Sequence, residues 1–318
     1  MRPLVSGVQL RTYGTQESRD AAVLLIPAPI KRWQIWDLVP DVSVVRRCLD
    51  DGLRVYMAEW LDVGNSDGGC GLEHYVDQLL MACIRAVQED SDQQKVILIK
   101  HSLGGTFAAI CAARYPESVS AIALLESPLH FGPDAEAFAP LVAVAPHAGW
   151  VRGRDTVPGS FLNASSTAAA PKSYQVDRFL DFARSLWRPE LIATHLRVQR
   201  WTLDEFALPA QLFEDVVERL YRRDELMAGT LDVGGSQGPA TLVTPMLNVI
   251  NPRSALIPAQ SVLPFHQAAA SRTKALLHYH GDTGVALQHV GVLVGRNAHR
   301  TVWPRIFAWL HELAENQT

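Results

Sequence analysis

Lys95-Val96-Ile97-Leu98-Ile99-Lys100-His101-Ser102-Leu103-Gly104-Gly105 is the stretch on which the reading of this chain turns. An apolar run of strand length ends at a serine set among small or turn-prone residues. An Ala-rich helical pattern follows at once, from Thr106 to Arg114. This is the grammar of a nucleophile elbow, a tight strand-to-helix turn that lifts one hydroxyl above a sheet. The N–H of the next residue, Leu103, can then face a developing oxyanion, and the helix N-terminus adds favourable potential. The box Gly-x-Ser-x-Gly is incomplete, because Lys100 stands at its first glycine. On these residues alone Ser102 is either a nucleophile or an ordinary turn serine. Lys100 also has two readings. Its stem snorkels to solvent, or its ammonium stands near the acyl or phosphate part of a substrate.

On either side of the elbow the chain alternates strand and helix signals. Leu4–Tyr13 alternates weakly and reads as one edge strand. Ala22–Ile26 is a short buried run, Ser43 is an N-cap for a helix over Val44–Leu49, and Leu53–Trp60 is the next strand. Leu72–Gln88 carries a helical apolar stripe, and Val119–Leu125 is a further strand. That rhythm predicts an α/β fold, a mostly parallel central sheet flanked by helices on both faces. It breaks near Gly132. Pro133–Pro171 is rich in Ala, Pro and Gly with little periodicity, and helical patterns follow over Arg178–Leu186, Pro189–Arg200 and Pro209–Leu226. Strands resume at Pro245–Ile250 and Lys274–Tyr279, and Pro304 opens a closing helix over Arg305–Ala314. The expected organisation is a core of residues 1–131 and 241–318, with a helical cap or lid inserted over 132–240.

The 318 residues are 48% hydrophobic and 19% charged, ample for a sizeable core. A net charge of −4 and the lack of a basic cluster exclude a nucleic-acid footprint. Met1–Gly7 does not read as a signal peptide, and no apolar run approaches the roughly 20 residues that span a bilayer. Cys48, Cys70, Cys83 and Cys111 fit no metal or disulfide spacing, so the expectation is reduced thiols in a cytoplasmic protein. Cys70, in the Gly-rich end of the loop Asp62–Gly71, is the one that could be reactive.

In an open parallel sheet the site lies beyond the carboxyl ends of the strands. A serine nucleophile needs a base, and the base an orienting acid, in the chain order Ser, acid, His. Of eleven histidines, His289 lies in the loop after the last predicted strand, where the base belongs. His101 adjoins Ser102, but its side chain is expected to point the other way. The usual slot for the acid, the loop Asn251–Pro258, holds no carboxylate. Glu126, at the end of the strand after the elbow helix, is the preferred acid, since a buried carboxylate needs a partner such as His289. Asp282, seven residues before His289, is the alternative. The second oxyanion donor must come from the loop after Ile26. Pro27 and Pro29 have no N–H, which leaves Ala28 or Ile30, with Ile30 preferred.

Several separated motifs, in order, resemble one family. They are Trp36-Asp37-Leu38-Val39-Pro40 with Ser43-Val44-Val45-Arg46, Gly52-Leu53-Arg54-Val55-Tyr56 with Glu59-Trp60, Leu103–Phe107, Val157–Asn163, Pro245–Val249, and His289-Val290-Gly291 with Val294-Gly295-Arg296 before Trp303-Pro304. From about Leu24 to Leu313 the chain is similar to the catalytic subunit of class III polyhydroxyalkanoate synthases, members of the α/β-hydrolase superfamily. The resemblance implies an elbow nucleophile acylated by a hydroxyacyl-coenzyme A, a histidine base after the last strand, and an aspartate that activates the incoming hydroxyl. Those roles fall on Ser102, His289 and Ser254, so this chain has Ser where the family has its nucleophilic Cys, and Ser254 where it has its acid. Two functions follow as expectations. One is a serine-dependent acyltransferase or (thio)esterase working through an acyl-enzyme, without polymer synthesis. The other is a catalytically degenerate partner or regulatory subunit of a synthase. No metal or cofactor is called for. The substrate would be an acyl ester or thioester carried by coenzyme A or an acyl-carrier protein. The partners considered are that carrier, a synthase subunit, or a second copy in a homodimer.

Overall fold

The computed structural model describes residues 1–14, 21–61, 70–133, 135, 137–151 and 153–316. Most of the loop Asp62–Gly71 lies outside the described residues. Cys70 is described and half-buried, and the other three cysteines are buried and free.

Eight strands form one sheet: β1 Arg2–Val5, β2 Val8–Tyr13, β3 Ala22–Ile26, β4 Arg54–Trp60, β5 Val96–His101, β6 Val119–Leu125, β7 Met246–Ile250 and β8 Lys274–His278. Their order is β1-β2-β4-β3-β5-β6-β7-β8, and every pair from β4 to β8 is parallel. The runs read as buried strands, such as Ala22–Ile26, are solvent-free on both faces, as parallel strands between helix layers must be. Two hydrophobic clusters fill these layers. Leu24, Leu98 and Phe107 lie on one face, and Leu25, Ile99 and Trp303 on the other. Ser43 caps the helix α1, Val44–Asp50, by accepting from Arg46 N–H at 3.0 Å.

The N-terminus departs from expectation. Leu4–Tyr13 is an antiparallel hairpin, β1–β2, because Gly7 takes φ +94° and reverses the chain. The long helix expected over Leu72–Gln88 is a wide-turned stretch, His74–Leu80, running into α2, Met81–Ser91.

The described residues of 132–240 add no strand to the large sheet. The helices expected there occur at Arg178–Ser185, Pro189–Thr202 and Ala210–Asp215, the last continuing as Val216–Arg222. Two more, Ala139–Val144 and Gly159–Ala169, lie in the stretch expected to be aperiodic. Register aligns the strand ends that matter. Ile26 pairs with Lys100, His101 with Leu125, and Val249 with Leu125.

Candidate active site

Strand β5 hands over to the helix α3, Leu103–Arg114, at Ser102, whose backbone sits at φ +57° and ψ −143°. A non-glycine residue there is strained, and the surroundings hold it in place. Ser102 N–H donates to Leu125 O at 3.1 Å, and its own carbonyl accepts from Gly105 N–H at 2.8 Å. The following glycines let the turn close. A Cβ on Gly105 would collide with the Ser127 side chain, and one on Gly104 would lie 3.1 Å from Pro27 O. The second contact brings α3 against the loop after β3. Ile30, Leu103 and Ser102 therefore line one cavity of about 110 Å³, together with His101 and His289.

His289 sits in the short helical turn Gln288–Val290 and is buried. Its Nδ1 lies 3.3 Å from Oε2 of Glu126, which is 1% exposed and follows β6 at φ +44°. Burial pushes the Glu126 carboxyl well above the usual range, with Ser254 and Asn251 beside it favouring its charge. Burial, with help from the Lys31 ammonium, pushes the His289 imidazole down to about 3. His289 is thus unprotonated near neutrality, the form a base requires. Lys31 itself is tied to Glu205 and to Thr202 O, the latter at 3.0 Å.

Asp282 is not brought to His289. Its Oδ1 accepts from Asn297 N–H at 3.0 Å, and its Oδ2 accepts from Ala298 N–H and Tyr279 O–H, each at 3.1 Å. It caps the helix Arg296–Thr301. Ser254, the position that the resemblance gives to the acid, is buried beside Glu126. The two positions are side by side, and the carboxylate stands at the one just after β6.

Two expectations are corrected. Lys100 neither snorkels nor reaches a ligand. It is wholly buried, its Nζ has no hydrogen-bond partner, and Cys83 and Cys111 are its neighbours. Alternation along β5 puts it on the same face as Leu98, under α2 and α3, and burial pushes its ammonium down to about 7. His101 does not turn away from the site. Its ring lies 4.4 Å from that of His289, centroid to centroid, and its Nε2 is 2.8 Å from His289 O.

Sequence reasoning missed a further brace. Asp181 accepts from Gly284 N–H and Ala286 N–H, each at 2.8 Å, and lies 2.7 Å from His195 Nδ1. It ties Arg178–Ser185 to the loop leading into His289. No local signal marks it, because its partners are 14 and more than 100 residues away. Among the described residues no cluster of three or more His, Cys, Asp or Glu is suited to hold a metal ion. A larger groove, about 580 Å³, lies at the opposite end of the sheet beside Gly52 and Lys95, away from Ser102.

The profile of the alpha/beta hydrolase fold family matches residues 31–226. The chain belongs to that family. It is 26% identical over 308 residues to the poly(3-hydroxyalkanoate) polymerase subunit PhaC of Haloferax mediterranei, an alignment covering 96% of this chain and 61% of that one. To the PhaC subunit of Allochromatium vinosum it is 23% identical, covering 95% and 84%. The chain spans about three fifths of the length of the haloarchaeal relatives it matches. Among solved structures, the monoacylglycerol lipase of Paleococcus ferrophilus superposes with a TM-score of 0.59 at 14% identity, covering 95% of this chain and 99% of that one. A putative lipase from Sulfolobus solfataricus gives 0.60 at 16% identity, covering 98% and 92%. The chain is thus a member of the alpha/beta hydrolase fold family that is similar to poly(3-hydroxyalkanoate) polymerase subunits. No helix is long and apolar enough to cross a membrane among the described residues.

Proposed function

We propose that this chain is a serine-dependent acyl-transfer enzyme acting on an acyl thioester or ester, with Ser102 as nucleophile, His289 as base and Glu126 as the acid that orients it. The carrying observation is the buried Glu126–His289 contact at 3.3 Å, with His289 lining the same cavity as Ser102. In this reading His289 takes the Ser102 proton as Oγ bonds to the substrate carbonyl carbon. The Leu103 and Ile30 N–H groups hold the resulting oxyanion. The carbon–sulfur or carbon–oxygen bond then breaks, and the leaving group takes the proton from His289. Water or a small acceptor repeats the sequence on the acyl-enzyme, giving the free acid or the transferred product. His101 and Asp181 act through His289, the first by its contact with the ring and carbonyl, the second by fixing the approaching loop. Residues 132–240 serve as a cap that excludes water and shapes the acyl pocket. The donor is an acyl group on coenzyme A or an acyl-carrier protein, and four cysteines outside any disulfide fit a cytoplasmic setting.

The test is turnover of butyryl-coenzyme A and 4-nitrophenyl butyrate by wild type and His289→Gln. The expected loss in kcat is ~10³-fold or more. Absent turnover by wild type on every thioester and ester tried, with stable binding to a synthase subunit, would instead favour a degenerate partner.

A further inference from the structure

Beside the Ser102 cavity lies a second one of about 200 Å³. The two share Ile30, Leu103, Phe138, Ser166 and Tyr221 as a common wall. Leu103 and Ile30, whose N–H groups are read as the oxyanion donors, therefore line both spaces. The second cavity runs between Ala139–Val144, Gly159–Ala169 and the helical stretch Ala210–Arg222. Leu141, Phe161, Phe213 and Val217 form its outer part.

Among the described residues no charged side chain lines this space. The two serines that do are already committed, Ser165 Oγ–H donating to Phe161 O and Ser166 Oγ–H to Leu162 O, each at 2.9 Å. Back-bonded in this way, they offer no free donor to a ligand. Phe161 and Phe213 meet edge to face, with centroids 6.0 Å apart, at the end where Phe161 becomes exposed. Apart from these serines and the Tyr221 hydroxyl the lining side chains are hydrocarbon, so a polar group pushed in here would lose most of its water contacts without replacing them.

Resting on the acyl-transfer reading above, we infer that this cavity is the acyl-chain site, and that the acyl group is an unsubstituted apolar chain of about seven or eight carbons. The length follows from volume. A water-sized group takes roughly 30 Å³, so about 200 Å³ accommodates some six or seven methylene or methyl groups beyond the carbonyl. Each methylene buried there strengthens binding, and chains longer than the cavity must emerge past Phe161 into solvent.

The test is kcat/KM on 4-nitrophenyl esters of acetate, butyrate, hexanoate, octanoate and palmitate, with the half-ester of a dicarboxylic acid of octanoyl length as a polar-ended control. Wild type is expected to rise roughly tenfold or more from acetyl to the hexanoyl–octanoyl range, fall at palmitoyl, and discriminate against the polar-ended ester by a similar factor. Val217→Trp, and independently Leu141→Trp, should lower the octanoyl-to-acetyl ratio about tenfold by filling the cavity. Calorimetric binding of octanoate to Ser102→Ala gives a readout without catalysis, and Val217→Trp in that background should weaken it. A flat chain-length profile, or ratios and octanoate binding unmoved by both tryptophans, overturns the acyl-chain assignment and leaves the acyl-transfer reading standing. If wild type hydrolyses none of these esters and no coenzyme A thioester, the acyl-transfer reading fails and this assignment falls with it.

Discussion

Two ionisable side chains lie buried on neighbouring strands, Lys100 near the end of β5 and Glu126 just past the end of β6, and their surroundings differ in kind. Glu126 has His289 at 3.3 Å, Ser254 and Asn251 beside it, and a cavity next door. Lys100 has two thiols, packed methyl groups and no hydrogen bond. Both are pushed away from their charged forms by burial, so a displaced pKa marks neither as functional by itself. What separates them is position. Glu126 lies where the strands end and side chains from different strands converge. Lys100 faces the helix layer beneath.

Substitutions can break or sharpen that contrast. The largest effect belongs to the site. Glu126→Gln keeps the shape but removes the carboxyl group that faces His289 Nδ1, and kcat should fall ~10²-fold or more in steady-state assays. Activity near wild type in that variant, with a collapse in Asp282→Asn, would move the acid to the other carboxylate.

Lys100→Met should act on stability and hardly on kcat. Replacing a buried, unpaired cation by a thioether of similar length is expected to add about 1–4 kcal/mol in urea unfolding at pH 6. The sign with pH follows from the lowered pKa. Folded Lys100 titrates near 7, against 10.5 in the unfolded chain. Across that window the unfolded chain binds the extra proton, so wild type gains stability as pH rises and the advantage of Met shrinks towards pH 10. An advantage that grows with pH would contradict the buried-cation account.

The strands of the parallel sheet were legible because each is a short apolar run bounded by turn residues. The meeting of Glu126 with His289, beside the cavity that Ser102 lines, was legible because topology fixes which loops meet. Other features were hidden for physical reasons. Val5-Ser6-Gly7-Val8 reads as continuous alternation, and only the positive φ at Gly7 turns it into a hairpin. Ala139–Val144 and Gly159–Ala169 owe their helicity to packing against neighbouring segments, with Ala, Pro and Ser giving little periodic signal. The place of Lys100 was in principle readable, since it keeps the alternation of Val96 and Leu98. A lysine's usual preference for water argued against it.

The smallest effect concerns the carboxylate that stays out of the site. Asp282→Asn weakens a helix cap and its bond from Tyr279, so stability should drop by about 1 kcal/mol in thermal or urea unfolding while kcat stays near wild type. A catalytic defect without a stability loss would undo the distinction drawn between Asp282 and Glu126.

The most direct measurement is covalent. Incubation with a serine-directed fluorophosphonate, followed by intact-mass and peptide mass spectrometry, should place a single adduct on Ser102, absent from Ser102→Ala and strongly slowed in His289→Gln. An unlabelled wild type, or equal labelling of Ser102→Ala, would contradict the assignment of Ser102 as the nucleophile.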